Sequence, residues 1–177
     1  EGLILDVRYN GGGSIKEALD MIGIFIDEGP LGAQKDKSGK VITLRDPNRG
    51  TIYDGPLALM VNGQSASASE LLAAALQDYN RAVIAGSITF GKATGQNMFA
   101  MDTTSSNEST GKENGDMVKI TVGKLYRVNG QTAQLSGVKP DVLLPDAFDG
   151  LEIGERFEDF PLSADSVKKN NYYKPLP

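Results

Sequence analysis

An α/β fold is predicted by three short apolar runs, each closed by a glycine turn, with helical periodicity after the first two. The runs are Leu3-Ile4-Leu5-Asp6-Val7, Leu57-Ala58-Leu59-Met60-Val61 and Ala82-Val83-Ile84-Ala85. A third observation concerns the second half. Val118, Ile120 and Val122 alternate with polar residues, so a β-rich C-terminal part should follow the α/β core.

Each element has a local reason. Leu3 to Val7 reads as a buried strand, ended by Tyr9-Asn10-Gly11-Gly12-Gly13. A helix is expected from about Ser14 to Ile26, because Ile15, Ala18, Leu19 and Ile22 recur at helical spacing. Residues 29 to 55 read as loops and a hairpin, with a turn at Lys37–Lys40 and a strand at Val41–Leu44. Leu57–Val61 is the second buried strand. The helix after it, about Ser69 to Asp78, opens with the capping-box pattern Ser67-x-x-Glu70. Ala82–Ala85 is the third buried strand, and Asn97–Met101 is expected as a fourth. Residues 104–116 are polar and of low complexity, and read as an exposed, mobile loop. Strands are then expected over Met117–Val128 and, briefly, near Val142. The tail from about Glu155 carries little pattern.

The 177 residues are enough for one domain with a real core. A net charge of -5 argues against a nucleic-acid partner, and no apolar stretch reaches the roughly 20 residues of a membrane span. The chain opens with Glu1-Gly2 and runs directly into a strand pattern, as expected of a piece cut at a strand edge.

The chain contains neither histidine nor cysteine. That excludes a Ser-His-Asp triad and a thiol nucleophile within it, as well as the usual zinc-site spacings. A serine hydroxyl still needs a base to take its proton. The remaining side-chain option is a lysine freed of its charge by desolvation. Ser65-Ala66-Ser67-Ala68-Ser69-Glu70 supplies serines at a helix start, and Thr89-Phe90-Gly91-Lys92 supplies a lysine in a glycine-flanked apolar segment. Taken singly, Ser67 is an ordinary helix cap and Lys92 an ordinary surface lysine. Taken together, a serine beside unpaired helix N–H groups can hold the oxyanion of a tetrahedral intermediate. Gln96, four residues on, could fix the amine. A rival reading also exists. Gly86 to Ala93 nearly spells a phosphate-binding loop, but lacks the Ser or Thr after its lysine.

Several stretches in order resemble the carboxyl-terminal processing, or tail-specific, proteases. They are Gly2-Leu3-Ile4-Leu5-Asp6-Val7-Arg8-Tyr9-Asn10-Gly11-Gly12-Gly13, Val61 to Glu70, Thr89 to Lys92, Lys124 to Gly130, Gly137-Val138-Lys139-Pro140-Asp141 and Gly154 to Asp159. The last three are similar to the bacterial tail-specific branch. The resemblance implies a fold related to ClpP and crotonase, with residues 1–177 as a protease catalytic core. It implies Ser67 as nucleophile, Lys92 as base, Gln96 as the residue orienting the lysine, and backbone N–H groups of Gly13 and Ala68 as oxyanion donors. It implies no cofactor or metal. The implied partners are protein or peptide substrates with C-terminal tails and a PDZ domain of the same full-length chain. The implied location is extracytoplasmic, in the periplasm. A silent scaffold or peptide-binding module of the same fold is the alternative. This chain departs from the family at Ala93, where glycine is usual, and at Gly95, where a β-branched residue is usual.

Overall fold

The structure is a computed structural model that describes residues 1–46, 48–101, 116–169 and 172–177. The expected mobile loop at 104–116, apart from Asp116, lies outside the described residues.

Two four-stranded sheets form the frame. The first joins β1 (Leu3–Asp6), β4 (Leu57–Val61), β5 (Val83–Gly86) and β8 (Val142–Leu143), in that order and all parallel. Leu5, Leu59 and Ile84 stand abreast in this sheet. Two helices, α1 (Ile15–Gly23) and α2 (Ala68–Asp78), contribute to the core with Leu59, Val61 and Ile84, which are fully buried. Helix α2 is central: every residue from Ala68 to Leu76 is buried. Its alanines favour helix and let neighbouring backbones approach closely.

The expectation of buried strands holds for β4 and needs correction for β1. Leu3 and Ile4 are 39% and 67% exposed, and Val83 of β5 is 50% exposed. β1 is an edge strand. Parallel sheets ordinarily have both faces covered, which is why such runs read as continuously apolar. Here Ile4, Val83 and Val142 are all exposed, and no described helix covers them.

The second sheet is antiparallel, in the order β3 (Val41–Arg45), β2 (Pro30–Asp36), β7 (Met117–Tyr126), β6 (Thr94–Ala100). The β2–β3 turn is set by Asp36, whose carboxylate accepts from the Ser38 and Lys40 N–H groups. β6 begins at Thr94 rather than Asn97. Its register shifts between Gly95 and Gln96, and that irregularity hides the strand from an alternation rule.

The weakly patterned tail is fastened down. Asp165 accepts from Lys35, Lys124 and the Tyr126 hydroxyl. The Tyr173 ring packs edge-on against Tyr79 at 5.1 Å, and the Leu176 N–H donates to the Tyr79 carbonyl.

Candidate active site

The turns that leave β1 and β4 are bolted together. Ser65, fully buried, donates its hydroxyl to the Val7 carbonyl at 2.8 Å and accepts from the Asn62 N–H at 3.0 Å. Asn62 Oδ1 accepts from the N–H groups of Tyr9 and Gln64. The Ala66 N–H donates to the Asn10 carbonyl. One serine of the Ser-Ala-Ser-Ala-Ser run is therefore a structural staple.

Ser67 stands at the N-cap of α2 with φ 59° and ψ -114°. A non-glycine residue held in such a region costs on the order of 1–3 kcal/mol and persists only where its surroundings impose it. The Ser67 hydroxyl makes no cap hydrogen bond, and the residue is half-buried at a cleft. The capping box that the sequence predicts is present, with Glu70 Oε2 accepting from the Ser67 N–H, so Ser67 both opens the helix and faces the cleft.

Glu70 imposes the geometry. It is 2% exposed, and four donors converge on its carboxylate. The Thr89 hydroxyl and the Gly91 N–H donate to Oε1 at 2.5 and 2.7 Å. The Ser67 and Lys92 N–H groups both donate to Oε2, each at 2.8 Å. A single carboxylate oxygen thereby ties the serine's turn to the lysine's loop. Burial pushes the Glu70 carboxyl up, against the opposing pull of these four donors. Sequence reasoning saw only a capping residue here. The missed signal was a carboxylate opening an otherwise apolar helix, Glu70-Leu71-Leu72-Ala73-Ala74-Ala75-Leu76, with no room for it to reach solvent.

Lys92 comes from the segment between β5 and β6 and is half-buried. Its Nζ donates to Gln96 Oε1 at 3.1 Å, and Gln96 Nε2 lies 3.4 Å from the Thr121 hydroxyl on β7. Among the described residues no carboxylate forms an ion pair with this amine. The shift at Gly95 offsets Gln96 from the regular ladder, so the departure from the family pattern coincides with the bulge beside the lysine. Ala93 is 6% exposed, and its N–H donates to Gln134 Oε1 at 2.8 Å. Ser67 and Lys92 line one cleft, with Leu71, Ala74 and Leu125 on its walls.

The triple-glycine turn meets the same point from the other side. Gly12 has φ +90°, and a Cβ there would sit 2.6 Å from the Ala66 carbonyl oxygen and 2.7 Å from Ala68 N. Only glycine lets the turn come this close. The Gly12 N–H is taken by Asn10 Oδ1 at 2.9 Å. Among the described residues, the N–H groups of Gly13 and Ala68 have no acceptor. Both residues line a cavity of about 140 Å³ between α1 and α2. The phosphate-loop reading fails on topology. Lys92 leads into the strand β6, and the helix N-terminus that would hold a phosphate is missing.

Comparison with known proteins bears on the chain as a whole. The family model described as peptidase family S41 matches residues 1–144. The tail-specific protease of Haemophilus influenzae is 38% identical over 172 residues, which is 97% of this chain and 24% of that protein. The carboxy-terminal-processing protease of Bartonella bacilliformis is 30% identical over 158 residues, covering 86% of this chain and 34% of the relative. The chain thus spans about a quarter of the length of the first relative and about a third of the second. Among solved structures, the photosystem II D1 C-terminal processing protease superposes with a TM-score of 0.65 at 35% identity, covering 81% of this chain and 34% of that one. Mature CPAF, at 16% identity and a TM-score of 0.64, shares the fold.

Proposed function

The chain belongs to peptidase family S41, and on that premise we propose that it carries the catalytic site of a serine endopeptidase working with a Ser67–Lys92 dyad. The observation that supports this most is the Glu70 bridge. It sets a strained serine, and a lysine with no ion pair among the described residues, on one cleft, with the lysine amine held by Gln96.

The chemistry follows from those positions. Lys92 takes the proton of Ser67 as Oγ attacks the scissile carbonyl carbon. The oxygen turns anionic facing the Ala68 and Gly13 N–H groups, whose dipoles and place beside the α2 N-terminus favour negative charge. Lys92 then hands the proton to the leaving amine, and water hydrolyses the acyl-enzyme by the same route in reverse. Gln96 keeps the amine from rotating away.

In the full-length protein we assign substrate choice to the C-terminal tail of the target, presented by a PDZ domain of the same chain, in an extracytoplasmic compartment. Sequence identity to bacterial tail-specific and carboxy-terminal-processing proteases supports that assignment. The test is labelling with a fluorophosphonate. The full-length protein should label at Ser67, and Ser67→Ala should not. A folded protein that stays unlabelled would make it a scaffold instead.

A further inference from the structure

The two strands that carry Gln96 and Thr121 run on past the candidate active site as an antiparallel pair. Gln96, Met98 and Ala100 of β6 stand opposite Thr121, Lys119 and Met117 of β7. Alternation puts these six side chains on one face. The 3.4 Å approach of Gln96 Nε2 to the Thr121 hydroxyl identifies that face as the one holding the Lys92 amine. Met98 and Met117 are 55% and 50% exposed, and Lys119 beside them is exposed too. Among the described residues Lys119 forms no ion pair, and none of the other five is acidic.

We propose that this face of the β6–β7 pair receives the leaving segment of the substrate, and that two residues after the cleaved bond it favours a large apolar side chain or a carboxylate over a basic group. The inference rests on the Ser67–Lys92 reading, and two arguments support it. The first is the path of the proton. A base that deprotonates the nucleophile returns that proton to the leaving amine, so the leaving half of the substrate lies beside Lys92. The second is continuity. From the Lys92 amine, the Gln96 side chain leads directly onto the strand face. Two residues of strand advance about 7 Å, and two residues of an extended peptide advance as far. The second residue of the leaving segment therefore comes level with Met98 and Lys119.

The chemistry of the face suits that occupant. Unbranched thioether side chains adjust to apolar groups of different shape, as a surface reading many sequences must. A carboxylate would meet the opposite charge of Lys119, while a basic group would meet a like charge with no acidic residue among the six to offset it. The other face of the pair, with Asn97, Phe99, Val118 and Ile120, is also exposed but turned away from the Lys92 amine. Phe99 therefore supplies an internal control.

The experiment measures kcat/KM of the full-length protein on peptides that differ only in the second residue after the cleaved bond, set to Ala, Leu, Asp or Lys. Met98→Ala should lower the Leu-to-Ala ratio by about threefold or more, as apolar contact is lost. Lys119→Glu should move the Asp-to-Lys ratio toward Lys by about fivefold or more, since an attraction and a repulsion both change sign. Phe99→Ala should move neither ratio. Fluorophosphonate labelling separates two failures, because that reagent carries no leaving peptide. Lack of labelling in the unaltered protein would overturn the Ser67–Lys92 reading itself. With labelling intact, the absence of either shift, or an equal shift in Phe99→Ala, would overturn the assignment of this face. So would variants that slow all four peptides by one common factor, the behaviour of a face that seats another part of the full-length chain.

Discussion

At the scale of single residues, two serines two apart in sequence do different work. Ser65 is fully buried between the Val7 carbonyl and the Asn62 N–H, and the Ser67 hydroxyl makes no cap bond. Ser67→Ala should therefore leave stability nearly unchanged, within about 0.5 kcal/mol, while abolishing peptide hydrolysis. Ser65→Ala strands a buried donor and a buried acceptor and should cost about 1–3 kcal/mol, read as a lower denaturation midpoint. A Ser65→Ala protein as stable as the parent would contradict the staple. The pattern of alternating serines was legible as a candidate site. Which serine staples and which one stands free was not, because Ser65 is partnered across 58 positions of sequence. The choice among the glycines has the same origin. Gly12 is the residue pressed against the Ala68 amide, and nothing local in Gly-Gly-Gly distinguishes it from Gly13.

At the scale of elements, Glu70 joins the start of α2 to the segment between β5 and β6, and that segment joins β6 through Gln96. Glu70→Gln keeps the size but offers a single acceptor oxygen, and turns an NH2 toward N–H donors. We expect a loss of about 2–4 kcal/mol, with kcat falling more than KM rises. A variant of parental stability and kcat would show that the carboxylate is not what holds the two segments. Helices and strands with strong periodicity were readable in the sequence, including β4 and α2. Those shaped by neighbours were not. β6 was placed three residues late because of the bulge at Gly95, and β1 looked buried while Ile4 faces outward. The anionic tether was invisible for the same reason, since three of its four donors lie about 20 residues away.

At the scale of the whole molecule, the Asp165 carboxylate ties the tail to the second sheet, beside the Ser163 carbonyl that accepts from Lys124. The Lys35 amine first, then the Tyr126 hydroxyl, hold the Asp165 carboxyl at about 2, below its ordinary 3.8. A carboxyl held low gives stability that is complete above its unfolded value and fades as pH falls through the folded one. The tail should therefore loosen between about pH 4 and pH 2. Hydrogen exchange over residues 163–169 should show protection lost in that window, and Asp165→Asn should show it already lost at neutral pH. Protection unchanged down to pH 2 would detach the tail's order from Asp165. The proposed activity, too, belongs to the whole molecule, because the proposed dyad draws Ser67 and Lys92 from different segments onto one cleft. The most direct test of that claim is peptide turnover by the full-length protein carrying Lys92→Arg, beside Lys92→Ala, with circular dichroism confirming that both fold. A guanidinium keeps its proton and cannot act as a base, so both variants should be equally inactive. Substantial turnover by Lys92→Arg would contradict the dyad and leave Ser67 without its activator.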